Sequence, residues 1–557
     1  MKETTVLAFD SEDDGRGKPF LWCFTWDKGS TYFRKQHDAI AFVERFSASE
    51  KAEGRRLEVW ATNLEYDLVN LFPADRLAEI TFRFGRSHLC GATWKGAHFR
   101  DTVRHLPASV AELGGLVGLE KREKDLFSRD DRSFAAFLSR CQSDATITYR
   151  AARHFRDVYG EFGLAPKMTL ASTALAIWKE GYWKKEIFRP RSEVWDLALD
   201  AYHGGRTEAF AGGEYDDVEA VDAASMFPWA MTSGPLPLPW GLYSRVGPGA
   251  AVEPFGIYDV DVESDLVLPR LPFRSADGTI YPNGRWRARY VGEELLAFAR
   301  AGGRFRVRRG IVLRQSCDPF QSYVSDMFAR KQSARGLDRS LYKLLLNGLY
   351  GKFGQKGRLV RAAPVSRFAK MEPRPSDARI WNGLAIWNTE TSPPPWSNQV
   401  WPAFVTARAR VKLADEMERV KKNGGRVLYC DTDSIFFSGG SARFPARARS
   451  IGQFERRGRF SKMLLVGKKE YALKTGPTSW ECHAKGVPSA ERFRYLTEGE
   501  ATFQRPTRLR ESARVSVPAN VWKDVSKKRR TFLRANGPDG AIPSPILGDG
   551  QSRDDGS

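Results

Sequence analysis

Two aspartates separated by one residue, Asp431 and Asp433, lie between two short apolar runs, residues 426–430 and 435–437. These runs predict two β-strands joined by a tight turn, with both carboxylates at its tip. Carboxylates held this close together either bind a hard cation or shift each other's pKa. The same short pattern also suits an Asx turn, in which the aspartates only accept backbone N–H bonds.

Asp222 is a third acid in a similar setting. It follows the strand-like residues 218–221, and we expect the strand to end there because Pro228 comes directly after an exposed Met226 and Phe227. This further acid in the same style shifts the balance from an Asx turn towards a cation site.

The segment 341–352 predicts a helix with its polar residues on one face. Lys343, Asn347 and Tyr350 lie at positions i, i+4 and i+7. Lys331 lies twelve residues before Lys343, so a preceding helix could bring a second cation to the same side. A cationic face opposite an acid and metal cluster suits a nucleoside triphosphate. The alternative is a set of solvated lysines on an amphipathic helix.

A second set of acids lies in the first part of the chain. Asp10 and Glu12 end the first predicted strand, Asp67 follows Asn63 by four residues, and Asp144 lies in the predicted helix 134–158. Single exposed acids are common in proteins, so each of these acids taken alone says little.

Three motifs resemble those of the family B DNA polymerases and occur in the family's order. Residues 222–228 (DAASMFP) resemble motif A (DxxSLYP), residues 343–351 (KLLLNGLYG) resemble motif B (KxxxNSxYG), and residues 429–434 (YCDTDS) resemble motif C (YxDTDS). Phe227 stands where the family usually has Tyr, and Gly348 where it usually has Ser.

This resemblance implies roles for the residues around the acids. Asp222 and Asp433 would bridge two divalent cations, Mg²⁺ or Mn²⁺, with Asp431 beside them and the Ala223 carbonyl as a backbone ligand. One cation would lower the pKa of the primer 3′-hydroxyl, and the other would follow the leaving pyrophosphate. The incoming nucleotide would be bound by these residues: Phe227, Lys331, Lys343, Asn347 and Tyr350.

Three shorter segments look like motifs of the protein-primed phage polymerases, which start synthesis on a terminal protein. Residues 202–205 (YHGG) resemble YxGG, residues 469–471 (KEY) resemble KxY, and residues 102–106 (TVRHL) resemble (S/T)Lx2h. The resemblance implies that these residues contact DNA: Asn63, Thr102, Tyr202, Gly204, Gly205, Lys469, Tyr471 and Lys485. Primer-template DNA, deoxynucleoside triphosphates and a terminal protein are the partners that follow from it.

The amino-terminal acids resemble the exonuclease motifs DxE, Nx2(F/Y)D and Yx3D of the same polymerases. Asp10, Glu12, Asp67 and Asp144 would then hold two cations that activate water against a phosphodiester. One position departs from the family, because Arg140 stands where the family has the Tyr that positions the water. Lys121 is the candidate for the family's lysine in this domain.

The resemblance implies an α/β and α+β multidomain protein, with an RNase H-like exonuclease domain followed by the palm, fingers and thumb of a right-hand polymerase. The predicted exonuclease domain spans residues 1–165, and a bridging segment follows at 166–200. The first part of the palm is predicted at 201–318, with room for an insertion that contacts a terminal protein, and the fingers are predicted at 319–354. The remaining predicted parts are a β-hairpin insertion at 355–403, the second part of the palm at 404–490, the thumb at 491–535 and a disordered tail at 536–557.

The charge of the chain agrees with a polyanionic partner. Its 557 residues include 88 Lys and Arg against 67 Asp and Glu, a formal net charge of +21. Such a surplus suits nucleic acid, although an Arg-rich host proteome would produce it as well.

Other classes of protein lack their signatures in this sequence. The six cysteines form no CxxC pair, which argues against a zinc knuckle and a disulfide framework, and neither HExxH nor GxxxxGK[ST] occurs. No apolar run approaches the length of a membrane span, and the first apolar segment is not a signal peptide. We therefore expect a cytoplasmic monomer, in the host cytoplasm if a phage encodes it.

The function predicted from the sequence is template-directed DNA synthesis by two-metal phosphoryl transfer, with 3′–5′ proofreading. Two alternatives remain at this point: a non-catalytic DNA-binding replication factor, and an exonuclease whose polymerase half only binds DNA.

Overall fold

The computed structural model describes residues 3–14, 18–73, 76–85, 88–122, 131–276, 278–381, 384–506 and 522–528. The tail predicted for residues 536–557 lies outside the described residues, as does part of the predicted thumb, residues 507–521 and 529–535. Within the described ranges, no helix combines the length and the apolar character that crossing a membrane requires.

The amino-terminal part of the chain is built on one mixed sheet. Its strands are β1 (Thr4–Asp13), β2 (Pro19–Trp26), β3 (Gly29–Phe33), β4 (Arg56–Ala61), β5 (Thr81–Phe84), β6 (Leu89–Trp94) and β7 (Ala97–Asp101). Its helices are α1 (Gln36–Ala52), α2 (Leu64–Leu71), α3 (Val110–Val117) and α4 (Asp131–Gly160). The strand order is β3-β2-β1-β4-β7-β6-β5, with β1 antiparallel to β2 and parallel to β4.

Strand β1 is central because both of its faces are apolar. Leu7 and Phe9 pack in one core with Val43 of α1, whereas Val6 belongs to a second core with Phe155 of α4. A strand covered on both faces reads as a continuous apolar run, which is why residues 6–9 predicted it. The strand predicted there and the helix predicted for residues 134–158 are both confirmed.

The middle of the chain contains the helices α5 to α8, a long insertion and the first strands of a second large sheet. The helices are α5 (Leu170–Ile177), α6 (Ser192–Ala201), α7 (Met226–Thr232) and α8 (Gly292–Arg300). The strands are β8 (Thr207–Ala209), β9 (Gly213–Ala223), β10 (Leu236–Pro237), β11 (Tyr243–Val246), β12 (Gly256–Ser264), β13 (Phe273–Ser275), β14 (Gly278–Ile280), β15 (Gly284–Val291), β16 (Arg304–Leu313) and β17 (Ser316–Cys317). Strands β11, β16, β12 and β15 form a separate four-stranded antiparallel sheet.

The remaining elements complete the second large sheet. The helices are α9 (Gln321–Ser333), α10 (Gly336–Gly348), α11 (Tyr350–Phe353), α12 (Val365–Phe368), α13 (Val400–Lys422) and α14 (Arg492–Glu498). The strands are β18 (Arg358–Pro364), β19 (Arg379–Trp381), β20 (Leu384–Glu390), β21 (Arg426–Asp431), β22 (Ser434–Ser438), β23 (Phe454–Gly467), β24 (Glu470–Lys474), β25 (Trp480–Ala484), β26 (Glu500–Pro506) and β27 (Trp522–Lys528).

The second large sheet brings together strands from distant parts of the chain. Its order is β25-β24-β23-β9-β22-β21-β8, and every neighbouring pair is antiparallel. Helix α13 supports it, with Leu413, Met417 and Val420 in one core with Ile435 of β22. The spacing of apolar residues in 404–423, followed by two glycines, predicts an amphipathic helix. The helix is confirmed, and it begins four residues earlier, at Val400.

The segment 355–403 forms a three-stranded sheet in the order β18-β20-β19, so the predicted hairpin gains a third strand. Val360 and Ile386 of this small sheet pack into the core of the amino-terminal unit. The helix predicted for residues 341–352 is found as two consecutive helices, α10 and α11, with Leu349 between them.

One local prediction about Asp222 is wrong in its cause. The strand ends at Ala223 as expected, but Met226 is buried rather than exposed, and Pro228 lies in the first turn of α7. A proline is tolerated there because the first N–H groups of a helix have no partner within the helix. The chain turns instead at Ser225, whose φ of 59° lies in the left-handed region.

Candidate active site

The strand register of the second large sheet places Asp222 beside Asp433. In the pairing of β9 with β22, Asp222 is opposite Ser434, and the N–H of Ala223 donates to the carbonyl of Asp433 at 2.7 Å. The turn between β21 and β22 holds Thr432 at a φ of 63°, and this confirms the predicted hairpin with acids at its tip. The motif A and motif C acids therefore meet because their strands are neighbours.

The two carboxylates perturb each other. Burial, followed by the charge of Asp222, raises the pKa of Asp433 to about 7. Burial also raises the pKa of Asp222, while the Lys343 ammonium acts in the opposite direction. Buried carboxylates that repel each other gain stability from a divalent cation between them, so the chemistry of this pair fits such an ion.

Asp431 lies on the same turn and has protein partners of its own. Its carboxylate accepts hydrogen bonds from Lys469 Nζ at 2.8 Å, from Thr207 Oγ1 at 2.8 Å and from Tyr429 Oη at 3.2 Å. The structure thus separates Asp431 from the closely coupled pair formed by Asp222 and Asp433.

Helices α9 and α10 bring the two predicted lysines to the acids. Lys331 Nζ donates to Ser225 Oγ at 3.0 Å, directly after motif A, and burial lowers its pKa. The Lys343 charge acts on both Asp222 and Asp433. The two lysines of the motif B region therefore face the acids of motifs A and C.

Two aromatic residues of the predicted nucleotide pocket contact each other. The Phe227 ring stacks on the Tyr350 ring, with centroids 4.5 Å apart and planes 29° apart. Asn347 Nδ2 donates to the carbonyl of Lys343 at 3.0 Å, one helical turn earlier. The five predicted nucleotide-binding residues thus lie on α7, α9, α10 and α11.

The YHGG segment and the arginine that follows it support the turn that carries Asp431 and Asp433. The N–H of Thr432 donates to the carbonyl of Arg206 at 2.6 Å, and a Cβ on Gly205 would come within 2.9 Å of Thr432 Cγ2. Arg410 of α13, which is fully buried, donates to the carbonyls of His203 and Gly204. Glycine at position 205 is therefore explained by a close approach of the backbone to motif C.

Other predicted DNA-binding residues differ in their exposure. The Lys485 side chain is exposed, whereas the Tyr471 ring is buried and stacks on His483 at 4.6 Å. Thr102 is fully buried, and its hydroxyl donates to Thr62 Oγ1 at 2.9 Å. Tyr202 packs against Gly354, where a Cβ would lie 2.7 Å from its Cε1.

The amino-terminal acids come together from three elements. Asp10 and Glu12 lie on β1, Asp67 on α2 and Asp144 on α4. Asp67 Oδ1 accepts hydrogen bonds from the N–H and the Oγ of Ser11 at 3.0 and 2.7 Å. Burial raises the pKa of Asp10 strongly, and the charges of Asp67, Glu12 and Asp144 add to this effect in that order.

The environment of Asp144 suits a cation. Its Oδ1 is buried and has no hydrogen-bond partner in the described part of the chain, while Lys121 Nζ lies 3.3 Å from its Oδ2. Arg140 Nε lies 3.5 Å from Glu12 Oε1 and 4.0 Å from Asp144 Oδ2. The Asn63 N–H donates to Asp101 Oδ1 at 3.1 Å, which holds Asn63 at the start of α2.

Neither cluster is a closed metal cage. Among the described residues, no group of three or more His, Cys, Asp or Glu side chains converges with the geometry of a metal site. The acids fit cations through their mutual repulsion and, in Asp144, through an acceptor that lacks a donor. Water and phosphate oxygens would supply the remaining ligands that Mg²⁺ usually keeps.

Two residues near the acids were missed by the sequence analysis. Glu455 of β23 pairs in register with Asp222 and helps to raise its pKa, and Thr207 donates to Asp431. Thr207 follows the YHGG segment closely, but no short motif includes Glu455. Its position becomes visible only when β23 is known to pair with β9.

Comparison with known proteins agrees with this geometry. Residues 132–363 match the family described as "DNA polymerase type B, organellar and viral", a stretch that includes Asp144, Asp222 and Lys343. The DNA-directed DNA polymerase of Enterobacteria phage PRD1 is 23% identical over 409 residues, which cover 70% of this chain and 69% of that protein. The DNA polymerase of Bacillus phage Nf is 22% identical over 374 residues, 61% of this chain and 60% of the relative.

Fungal relatives are longer than the part they share with this protein. A probable DNA polymerase of Podospora anserina is 25% identical over 352 residues, which cover 56% of this chain and only 29% of the relative. The chain thus spans about two thirds of the PRD1 enzyme but less than a third of this fungal one.

Solved structures show the same fold. The Phi29 DNA polymerase complexed with primer-template DNA and incoming nucleotide substrates superposes with a TM-score of 0.73 at 16% identity, covering 95% of this chain and all of that one. The multidomain right-hand polymerase fold expected from the motifs is confirmed by this likeness. Residues 132–363 of this chain are thus similar to the organellar and viral type B DNA polymerases, and the chain shares the fold of the Phi29 enzyme.

Proposed function

We propose that this protein is a DNA-directed DNA polymerase that adds deoxynucleotides to a primer 3′-hydroxyl and also removes them with a 3′–5′ exonuclease. The observation that carries the polymerase activity is the close approach of Asp222 and Asp433, opposite Lys331 and Lys343. Phosphoryl transfer from a triphosphate requires carboxylates that bind metal ions and basic side chains that bind the phosphates. Asp222 and Asp433 are the carboxylates, and Lys331 and Lys343 are the basic side chains.

In this proposal Asp222 and Asp433 would hold two divalent cations, and Asp431 and the Ala223 carbonyl would contribute further ligands. Bound Mg²⁺ or Mn²⁺ supplies Lewis acid chemistry that activates the primer 3′-oxygen and neutralises the pyrophosphate. Lys343 and Lys331 bind the triphosphate and orient it for in-line attack. The stacked pair of Phe227 and Tyr350 forms a rigid wall that excludes water and a bulkier sugar.

The exonuclease activity is assigned to the amino-terminal unit, an RNase H-like domain in residues 1–165. Asp10, Glu12, Asp67 and Asp144 would hold its cations, and their convergence from three elements supports this assignment. The other predicted boundaries are kept as proposals: the bridging segment, the two palm parts around the fingers, the insertions and the thumb.

Partners other than the substrates are also proposals. The inserted sheet carries arginines on both strands that flank β12: Arg285, Arg287, Arg289, Arg304, Arg306, Arg308 and Arg309. They outnumber the β12 acids with which several of them pair, Asp259, Asp261 and Glu263. This basic face supports contact with an acidic surface of a terminal protein. We further propose a monomer that works in the cytoplasm, where its six unpaired cysteines would stay reduced.

The test of the polymerase activity is single-nucleotide incorporation on a primed template with Mg²⁺. Wild type should extend the primer only with the nucleotide complementary to the template base, and the variant with Asp431→Ala and Asp433→Ala should not extend it. If wild type fails to extend any primer, the two alternatives of a DNA-binding factor and an exonuclease alone return. Extension that ignores the template base would contradict template direction.

A further inference from the structure

Arg140 is the residue by which the amino-terminal site departs from its family, and the structure places it inside the site. It lies on α4, one turn before Asp144 and on the same helix face. Its Nε lies between two acids of the cluster, 3.5 Å from Glu12 Oε1 and 4.0 Å from Asp144 Oδ2. Its side chain is 17% exposed, so the guanidinium is held in the site rather than in solvent.

Two donor nitrogens of the Arg140 guanidinium lack a hydrogen-bond acceptor among the described residues. Arg140 Nε and Nη1 are both buried, and neither has a hydrogen-bond acceptor within the described residues. A buried donor without an acceptor is costly, and native structures usually keep one only where a water, an ion or a substrate completes it. These two donors lie on different sides of the guanidinium, so each can donate to an oxygen of its own, and a charge-assisted N–H donor of this kind suits a phosphate oxygen.

We propose that Arg140 is a catalytic residue of the exonuclease site and that its guanidinium binds the non-bridging oxygens of the 3′-terminal phosphodiester. This inference rests on the proposed exonuclease function. It replaces the expected role of a tyrosine hydroxyl, which would orient water, with that of a cation, which stabilises the phosphate as it reacts.

Hydrolysis of the phosphodiester is helped by a guanidinium at this position. The water oxygen bonds to phosphorus, the bond from phosphorus to the 3′-oxygen of the preceding nucleotide breaks, and a nucleoside monophosphate leaves. The attacking water gives one proton to solvent. The released 3′-oxygen takes up one proton, so the shortened strand ends in a neutral 3′-hydroxyl. Negative charge builds up on the non-bridging oxygens during the attack, and donors aimed at them stabilise the transition state.

Lys121 does not take over this role. Its Nζ lies 3.3 Å from Asp144 Oδ2, closer than Arg140 Nε lies to either acid of the cluster. A lysine is also a compact point charge, whereas the Arg140 guanidinium keeps a second buried donor, Nη1, without an acceptor among the described residues. Arg140 is therefore the residue near these acids whose donors are both buried and unsatisfied.

The first test measures binding without catalysis. In EDTA, wild type should bind a short single strand about tenfold more tightly than the same strand with one neutral methylphosphonate at its last linkage, because a hydrogen bond to a charged group is lost. Arg140→Gln should reduce this preference to less than twofold. Arg150→Gln, an exposed arginine on the same helix, should keep it. An unchanged preference in Arg140→Gln would overturn the proposal.

The second test measures turnover with Mg²⁺ on the unmodified strand. Arg140→Gln should lower the exonuclease kcat about 100-fold with KM nearly unchanged, and Arg140→Lys should recover part of the loss. Primer extension should stay within about twofold of wild type in both variants, which shows that they fold. A rise in exonuclease kcat in Arg140→Gln would overturn the proposal, since Arg140 would then only repel cations.

The two levels of the hypothesis fail in different ways. If wild type shows the linkage preference but never shortens the strand, the exonuclease function fails while the phosphate contact of Arg140 stands. If wild type shortens the strand and Arg140→Gln does so equally well, the function stands and the role of Arg140 fails.

Discussion

Asp222 and Asp433 reach each other across two neighbouring antiparallel strands, whereas Asp10, Asp67 and Asp144 come from a strand and two helices. Strand register fixes the first pair through backbone hydrogen bonds. The packing of α2 and α4 against β1, together with hydrogen bonds from Ser11 to Asp67, brings the second set together. The geometry of the polymerase cluster, Asp222 and Asp433, should therefore depend on the contacts that hold the β21–β22 hairpin. The geometry of the amino-terminal cluster should depend on the apolar core around β1.

The cations around the two clusters also differ. Lys331 and Lys343 approach the polymerase acids from separate helices, α9 and α10, and Lys343 is exposed enough to reach a substrate. Arg140 and Lys121 instead lie in ionic contact with acids of the amino-terminal cluster. Lys121 and Arg140 therefore neutralise part of the charge of the amino-terminal acids through direct ionic contacts.

The largest expected effect comes from removing one carboxylate of the polymerase pair. Asp433→Asn should lower the rate of nucleotide incorporation at least about 1,000-fold, because one ligand of both proposed cations is lost. Single-turnover incorporation measures it. Exonuclease activity should stay within about twofold, because the two clusters share no residue. Asp216→Asn, an exposed acid on the same strand as Asp222, is the matched control and should have no effect. Equal loss of both activities would mean that the clusters are not independent.

The next effect concerns the buried ion pair behind the YHGG segment. Arg410 and Glu294 are 1% and 2% exposed and bond through two N–H groups. Arg410→Met should lower the free energy of unfolding by about 3–5 kcal/mol, because it leaves a buried carboxylate without a partner. Adding Glu294→Leu should restore only part of this loss, because the carbonyls of His203 and Gly204 still lack their Arg410 donor. Chemical denaturation measures both variants, and a loss below about 1 kcal/mol in Arg410→Met would contradict the account.

These first two predictions show how much the sequence alone could provide. Asp222, Asp431 and Asp433 were predictable because apolar strand residues and acids lie close together in the sequence. Arg410 and Glu294 were not, since they lie 116 residues apart and look like ordinary charges of two amphipathic helices. Glu455 was missed for the same reason, because only the register of β23 with β9 brings it to Asp222.

The secondary structure was also predictable only where neighbouring residues carry the signal. The long helices α4 and α13 were predicted from their apolar periodicity, and the strand β1 from its continuous apolar run. The cause of the strand end after Asp222 was not, because the left-handed Ser225 gives no signal in the sequence. The burial of Thr102 and Tyr471 was also out of reach, since both residue types occur inside and outside proteins.

A smaller effect should come from Gly205. Gly205→Ala would push a Cβ to 2.9 Å from Thr432 Cγ2, so the turn that carries Asp431 and Asp433 must shift. Incorporation should fall about 10- to 100-fold, because displacements near 1 Å have effects of this size on catalysis. Gly204→Ala is the matched control, since its Cβ would meet nothing within 4 Å. Equal defects in both variants, measured as incorporation rates, would favour direct DNA contact over support of the turn.

The smallest effect is on pH dependence. The pKa of Asp433 is raised to about 7, so a cation must displace a proton from the polymerase cluster below that pH. Mn²⁺ affinity should therefore increase about tenfold from about pH 6 to about pH 8 and level off above. Titration calorimetry with the variant Asp10→Asn and Asp67→Asn, which silences the other cluster, measures it. An affinity that does not change over this range would contradict the coupling of Asp222 and Asp433.

The most direct test of the central claim, that this chain carries two separate phosphoryl-transfer sites, is one assay on a primer with a mismatched 3′ end. With Mg²⁺ and all four deoxynucleotides, wild type should first remove the mismatch and then extend the primer. Asp433→Asn should only shorten it, and the variant with Asp10→Asn and Asp67→Asn should leave the mismatch uncorrected while still extending matched primers. The account would be contradicted if wild type did neither, or if either variant lost both activities.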